Sequence, residues 1–409
     1  MIPRIAEKTL GRYAKGFPVI CITGPRQSGK TTLAKLAFPQ KQYFSLEDPD
    51  TALLARSDPR GFLETWPDGL ILDEAQYVPE LFAYIKTMTD KDPKPGKYII
   101  TGSQQFNLMA KITESLAGRA AFLTLLPFSL AELVSATELV SATELVSATE
   151  LVSATELVSA GLCGEGPFEL MLKGLYPPLY DRDISAQDFY SAYIASYVER
   201  DLRQLINVKD LGMFQSFIKF CAARTGGILN LSSLAADCGI THNTARTWIS
   251  TLEISGIIFL LRPYFKNFGK RLVKSPKLYI TDPGLACRLL DIRTKEQLFL
   301  HPLRGSLFEG FIVSEFLKNR LNRGETPGLW FWRDNSGTEI DCIIEEAEKL
   351  SAVEIKSGAT FGEEMTSGLI RWQKTCGAGE GNQILVYGGS QKTSFKGIKI
   401  LPWKEVVHL

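Results

Sequence analysis

Phe17–Phe38 reads FPVICITGPRQSGKTTLAKLAF and divides into three parts. Val19–Thr23 is a short apolar, β-branched run, the pattern of a buried strand. Gly24, Pro25, Arg26, Gln27, Ser28, Gly29, Lys30 and Thr31 then fill G-x-x-x-x-G-K-[ST] at every fixed position. From Thr32 to Phe38 the chain continues as a helix. Strand, loop and helix in that order form the context a phosphate-binding loop requires. Glycines let the backbone curl until its N–H groups converge on phosphate, and the helix N-terminus adds a favourable dipole. Gly24 to Thr32 are therefore the expected nucleotide-binding residues, with ATP as ligand. Lys30 is placed to reach the β- and γ-phosphates, and Thr31 to offer its hydroxyl to Mg²⁺.

The whole composition sets limits on what surrounds this loop. A chain of 409 residues predicts two or three domains. With 45% hydrophobic and 22% charged residues it is of globular type. The formal net charge of +1 excludes a global field that attracts nucleic acid or membrane, so any such surface is local. The 7 cysteines are scattered without a CxxC pair, which argues against a disulfide framework and a zinc ribbon. A cytoplasmic location is expected. The start, MIPRIAEKTLGRYAKG, lacks the apolar core of a signal peptide, and no apolar run reaches the roughly 18 residues of a membrane span.

A phosphate loop needs an acidic partner on another buried strand, and Gly69–Gln76 (GLILDEAQ) supplies it. Asp73 at the strand end is expected to hold Mg²⁺ through water, and Glu74 to polarise the attacking water. A third strand, Lys97–Ser103, ends in polar residues. Thr101 or Ser103 there is expected to sense the γ-phosphate, and Ser103 is the preferred candidate. Arg119, in SLAGRA, is a candidate arginine finger acting in cis or on a neighbouring subunit.

Further along, Asp188–Ile206 reads as a helix with aromatic residues on its core side. Leu231–Leu252 has a helix-turn-helix pattern, with Gly239 at the turn and Thr241 or Asn243 capping the second helix. Strands over 256–261 and 277–281 are predicted to follow as a wing. Between them runs RPYFKNFGKRLVKSPK, from Arg262 to Lys277, with no acidic residue and with aromatics interleaved. It is the one local basic footprint suited to phosphates. The candidate DNA contacts are His242, Asn243 and Arg246 on the second helix, and Lys266, Lys270, Arg271 and Lys274 on the basic arm. A winged helix used only for packing or protein binding is the alternative.

Near the end, Glu309 lies in the apolar-periodic helix LFEGFIVSEFLK. Thr338–Ile344 (TEIDCII) and Ala352–Lys356 (AVEIK) read as neighbouring strands. Residues i and i+2 of a strand share a face, so Glu354 and Lys356 point together, and Asp341 on the adjacent strand joins them. The order of helix Glu, strand Asp and Glu-x-Lys resembles a restriction-endonuclease-like core. That resemblance implies a metal set of Glu309, Asp341 and Glu354 with Lys356 beside it. A surface ion-pair cluster is the plainer reading of the same residues.

Taken together, GPRQSGKTT, LILDEAQ, YIITGSQQF, SLAGRAAFLTLLPFSLAEL, YVERDLRQL, SPKLYITDPGLACRLL, LFEGFIVSEFLK and EID…EIK resemble a family of prokaryotic AAA+-type ATPases. In that family a phosphate-loop domain precedes a carboxy-terminal domain of uncharacterised function. The resemblance implies ATP binding and a three-part architecture. It covers nearly the whole chain except Glu132–Ala160, the hexapeptide ELVSAT four times complete and a fifth time lacking only its Thr. In the family, LLPFSLAEL opens a helix, and the repeat begins inside it. Without Gly or Pro before Gly161, a continued helix about 43 Å long is the first expectation. Its leucines fall on three faces about 120° apart, so it has no single apolar stripe. A parallel β-helix and disorder are the rivals. The repeat holds no residue suited to catalysis and reads as a spacer, an arm or an oligomer contact.

The expected architecture is α/β. An AAA+-type core spans 1–131, the repeat 132–160, a helical segment 161–227, a winged helix 228–285 and a nuclease-like α/β domain 286–409. The expected activity is Mg²⁺-dependent ATP hydrolysis coupled to the later domains, with DNA as partner. The rival reading is a nucleotide-switched scaffold that binds a protein, or a second copy of itself, through the repeat. No membrane role is expected.

Overall fold

The computed structural model describes residues 2–103, 116–136, 166–201, 211–264, 274–334, 337–346, 349–376 and 382–409. They form two compact units. The first comprises 1–128, 254–256 and 320–326; the second comprises 129–253, 257–319 and 327–409. No helix among the described residues is long and apolar enough to cross a membrane.

The first unit is built on five parallel strands: β1 (Val19–Gly24), β2 (Gln42–Ser45), β3 (Leu70–Asp73), β4 (Tyr98–Ser103) and β5 (Ala120–Thr124), in the order β2-β3-β4-β1-β5. Parallel strands need crossovers that cover both faces, so a central strand is apolar throughout. Every residue of β1 is buried. Val19 and Cys21 face a core with Leu70, Leu72, Tyr98 and Ile100. Ile20 and Ile22 face another with Leu33, Ala34 and the buried Ala6 and Leu10 of helix α1 (Ala6–Tyr13). All five strands run the same way, so Gly24, Ser45, Asp73, Ser103 and Thr124 end on one edge of the sheet. Open α/β sheets bind ligands at that edge.

The second unit holds a sheet of nine strands. Its first three are β6 (Gly227–Ile228), β7 (Ile258–Pro263) and β8 (Lys277–Ile280), with β8 antiparallel to both of the others. Before β7 come the helices Leu231–Asp237 and His242–Ile254, separated by a turn at Gly239, whose φ of 65° favours glycine. The remainder follows the order helix (Arg304–Asn322), β9 (Leu329–Arg333), β10 (Glu339–Glu346), β11 (Lys349–Lys356), helix (Ser367–Cys376) and β12 (Asn382–Tyr387), then β13 (Thr393–Phe395) and β14 (Ile398–Pro402). Strands β9, β10 and β11 form an antiparallel meander, and β12 lies parallel to β11. The sequence reading draws a boundary between 285 and 286. Here β7 pairs in parallel with β9 through Arg262↔Trp330 and Pro263↔Phe331, so one sheet runs across that boundary.

One expected helix differs in detail, and a second is described only at its start. Asp188–Ile206 was expected to be one helix. The α-helix runs from Ala186 to Tyr193 and continues as a π-helix over Ile194–Asp201, and 202–206 lie outside the described residues. The helix entering the repeat occupies 130–136. The Ser129 N–H donates to Glu132 Oε2 at 2.9 Å while the Glu132 N–H donates to Ser129 Oγ at 3.3 Å, the reciprocal bonds of a capping box. The first Glu of the repeat therefore belongs to the start of this helix. The rest of the repeat, from Thr137, lies outside the described residues.

One buried carboxylate ties the second unit together. Asp282, 1% exposed, accepts from the N–H of Leu285, at the start of the helix Pro283–Leu289, at 2.9 Å. It also accepts from the N–H of Leu175 at 2.9 Å and from the Tyr190 hydroxyl at 2.6 Å. Removing it leaves buried donors without an acceptor, at about 1–3 kcal/mol each. Asp282→Ala is expected to destabilise the second unit by about 3 kcal/mol or more, read by denaturant unfolding of the full chain. An unchanged midpoint for that unit would remove Asp282 from this role.

Candidate nucleotide site and a second charged cluster

At the end of β1 the backbone turns sharply. Gly24 has φ 148°, and a Cβ there would lie 2.0 Å from the Leu125 carbonyl oxygen. Gln27 and Gly29 are left-handed, with φ of 60° and 92°. Such turns aim successive N–H groups into a concavity that suits an anion. Gly29 begins helix α2 (Lys30–Ala37) without a side-chain cap, so its first N–H groups meet no capping side chain. The buried Ser28 hydroxyl has no partner among the described atoms. Lys30 is 5% exposed, and its Nζ donates to the carbonyls of Pro25 at 2.8 Å and Gly24 at 3.1 Å. Burial pushes this ammonium below the usual lysine range, against the pull of Glu74 and Asp73.

Asp73 ends β3 and is 5% exposed. Its carboxylate accepts from the Thr31 hydroxyl at 2.9 and 3.0 Å, from the Tyr43 hydroxyl at 2.7 Å and from Thr101. The next residue, Glu74, takes φ 53° and accepts from the Gln76 amide. Of the two sensor candidates, Thr101 is fully buried and aimed at Asp73. Ser103 pairs with Gly24 through the strand ladder, and its side chain lies outside the description. Arg26 is half-buried, and Thr32 is exposed.

Arg119 lies away from the phosphate loop. Its carbonyl accepts from the Val19 N–H, beside the first residue of β1, whereas the loop follows the last. The strand between them has 6 residues, about 17 Å at about 3.3 Å per residue. Its guanidinium pairs with Asp90 and the Ala117 carbonyl. It stands at the opposite end of β1 from the phosphate loop of its own chain.

Two residues of this site carried no motif signal. Tyr43, on β2, reaches Asp73, and burial followed by that carboxylate pushes its hydroxyl well above the tyrosine range. Arg4, 8% exposed, donates to the carbonyls of Ser28 at 2.8 Å and Leu126 at 2.7 Å and stands 4.9 Å over the Phe128 ring. It clamps the phosphate loop from behind.

In the second unit Asp341, Glu354 and Lys356 stand together on one side of the sheet, as the strand arithmetic predicts, and Glu309 lies beside them. Lys356 Nζ lies 2.6 Å from Glu354 Oε2 and 3.2 Å from Asp341 Oδ2, and the Ile355 N–H donates to Asp341 Oδ2 at 2.8 Å. Two more residues enter that the sequence pattern does not assign here: Lys277 reads as the end of the basic arm, and Glu339 as part of the TEIDCII strand. Glu339 sits two positions before Asp341 on β10, and Lys277, the first residue of β8, is 2% exposed. Lys277 Nζ lies 2.7 Å from Glu309 Oε1 and 4.0 Å from Asp341 Oδ1, and pairs with Glu339. Tyr279 donates to the same Glu309 oxygen. Burial and the neighbouring Asp341 push the Glu309 carboxyl up to about 7. Burial works against the Lys277 charge, but Glu309, Asp341 and Glu339 together hold it above the usual lysine range.

The helix His242–Ile254 buries Ala245, Trp248, Ile249 and Leu252, and Trp248 meets Phe214 and Phe217 edge-on, each at 5.1 Å. His242, Asn243 and Arg246 are exposed, as is Lys274. Lys266, Lys270 and Arg271 lie outside the described residues.

The clamp on the phosphate loop generates a prediction. Hydrogen bonds from a charged donor contribute about 1.5–3 kcal/mol each. Arg4→Met is expected to raise the KM for ATP about tenfold or more and to lower the stability of the first unit by about 2 kcal/mol. Steady-state kinetics and unfolding of the full chain read both, and an unchanged KM would reduce Arg4 to a packing residue.

Comparison with known proteins finds three family matches along the chain. Residues 16–134 match an AAA domain, 165–296 a domain of unknown function (DUF8612) and 304–406 a second (DUF4143). The Walker-type ATPase PABY2304 of Pyrococcus abyssi is 15% identical, with a TM-score of 0.40 over 71% of this chain and 96% of that one. The uncharacterized proteins Rv2008c of Mycobacterium tuberculosis and Mb2031c of Mycobacterium bovis are each 30% identical over 380 residues, which is 90% of this chain and 78% of theirs. The chain belongs to the family of these two mycobacterial proteins, and its first unit carries an AAA domain of the P-loop ATPase type.

Proposed function

We propose that this chain is a Mg²⁺-dependent ATPase whose turnover controls a winged-helix and nuclease-like second unit on DNA. The observation that carries the reading is the Asp73 carboxylate, held by the hydroxyls of Thr31, Tyr43 and Thr101 at the mouth of the phosphate loop. The loop also fits a nucleotide: the Ser28 hydroxyl is buried without a partner, and a Cβ at Gly24 would strike the Leu125 carbonyl. Thr31 and Asp73 are the residues for Mg²⁺, which when bound neutralises charge gathered on the phosphates.

The remaining roles fall to this chain's own groups. Lys30, held in the loop by two backbone carbonyls, supplies the ammonium for the β- and γ-phosphate oxygens. Glu74 accepts the proton of the attacking water, and its left-handed backbone turns it away from the strand just after Asp73. Thr101 couples β4 to the same carboxylate. Ser103, level with Gly24, serves as the γ-phosphate sensor.

For the second unit, two helices about a glycine turn followed by an antiparallel hairpin support the winged-helix reading. The helix–meander–helix–parallel strand order supports the nuclease-like one. Exposed His242, Asn243 and Arg246 on the second helix are the groups for DNA, with Lys274 on the arm.

Glu74→Gln is expected to lower kcat about 100-fold or more while leaving ATP binding intact, and Lys30→Ala to abolish both. Equilibrium binding of a fluorescent ATP analogue beside a phosphate-release assay separates the two; full turnover by Glu74→Gln would sink its role as base. Double-stranded DNA is expected to raise the ATPase rate at low salt, with the gain lost as salt rises and reduced in Arg246→Ala. A rate indifferent to DNA would favour the protein-scaffold reading.

A further inference from the structure

The nuclease-like fold implies a divalent metal on Glu309, Asp341 and Glu354, and the residues present can be tested against that ion. Carboxylate oxygens of Glu309, Glu339 and Asp341 do converge, lying within 4.8 Å of one another. The space they share is taken. Lys277 Nζ stands 2.7 Å from Glu309 Oε1 and 4.0 Å from Asp341 Oδ1, and pairs with Glu339. The fourth carboxylate, Glu354, is engaged by Lys356 at 2.6 Å, and Lys356 also lies 3.2 Å from the other Asp341 oxygen. A magnesium ion needs oxygens at about 2.0–2.1 Å in near-octahedral array, and it tolerates no ammonium among them.

The lysine has no easy way out. Its side chain is 2% exposed, and β8 is held by ladders on both sides, to β7 and to β6. The ring of Phe331 lies 5.6 Å from its ammonium. Charge is also nearly matched without a metal: Lys277, Lys356 and Arg333 face Glu309, Glu339, Asp341 and Glu354.

We propose that Lys277 is the resident cation of these carboxylates, closing them to divalent metal and making the cluster a cross-link between β8, the helix Arg304–Asn322 and β10. The residues that resemble a nuclease centre then serve architecture, and on the DNA reading proposed above the second unit binds without cutting. This stands apart from the nucleotide reading, because Asp341 reports on one site and Asp73 on the other.

The test is titration of Mn²⁺ into the full-length chain without nucleotide, followed by electron paramagnetic resonance, with Asp341→Asn as the marker of the site. The wild-type chain is expected to hold no Mn²⁺ that Asp341→Asn removes. Lys277→Met is expected to gain a site at least about tenfold tighter, sensitive to Asp341→Asn, together with a melting temperature that Mn²⁺ raises. If Lys277→Met does not fold, Lys277→Met with Glu339→Gln removes one carboxylate along with the ammonium and is expected to gain the same site. A wild-type Mn²⁺ site lost in Asp341→Asn overturns the proposal, and so does a folded Lys277 variant that gains none.

Discussion

The carboxylate of Asp73 is the point on which the first unit turns. Strand β4 lies between β3 and β1, so at about 4.8 Å per strand the acidic residue and the phosphate loop start nearly 10 Å apart. Hydroxyls close that gap. Thr31 reaches across from the first turn of α2, Thr101 rises from the intervening strand, and Tyr43 comes from β2 on the far side. A parallel sheet makes this convergence possible, because all its strands deliver their last residues to one edge. Arg4 ties the loop to the chain after β5, donating to the Ser28 carbonyl of the loop and to the Leu126 carbonyl.

The two units handle buried carboxylates in opposite ways, and the difference in donor type separates their chemistry. Around Asp73 the described hydrogen-bond donors are neutral hydroxyls, which stabilise the negative charge without cancelling it. Such a carboxylate still attracts a cation. Around Glu309, Glu339, Asp341 and Glu354 the partners include two ammonium groups and a guanidinium beside the Tyr279 hydroxyl and the Ile355 N–H, and these cations offset most of the charge. Burial alone therefore does not mark an acidic cluster as a metal site; the charge of its donors decides. Asp282 is a third case, a structural acceptor for two backbone N–H groups and one hydroxyl.

Much of the first site was legible because its signals are local. Gly24, Gly29, Lys30 and Thr31 stand within one turn of chain, and Asp73–Glu74 follow one apolar strand, so spacing alone identifies them. Tyr43 and Arg4 were not legible: each meets its partner through strand order or chain entry, and neither stands near a motif. The position of Arg119 was not legible for the same reason. A lone arginine after a glycine fits a finger by pattern, and the register of β5 on β1 puts it at the edge of the sheet opposite its own phosphate loop. Glu132 was read as a unit of repeat and turned out to close a capping box, because the helix starts at Ser129 whatever follows.

The sequence by itself determined the phosphate loop, its acidic strand, the helix-turn-helix and the alternation that turns Glu354, Lys356 and Asp341 to one side. These depend on periodicity and on bonds between near neighbours, which any reader of the chain can reconstruct. Only the tertiary structure decided which hydroxyls hold Asp73, which edge receives Arg119, and that Lys277 stands among the carboxylates of the second unit. Lys277 lies far from Glu309 and Asp341 along the chain, and only the pairing of β8 with β7, and of β7 with β9, brings its ammonium to them. A charge acts through distance in space, and that distance comes into being only when the strands pair.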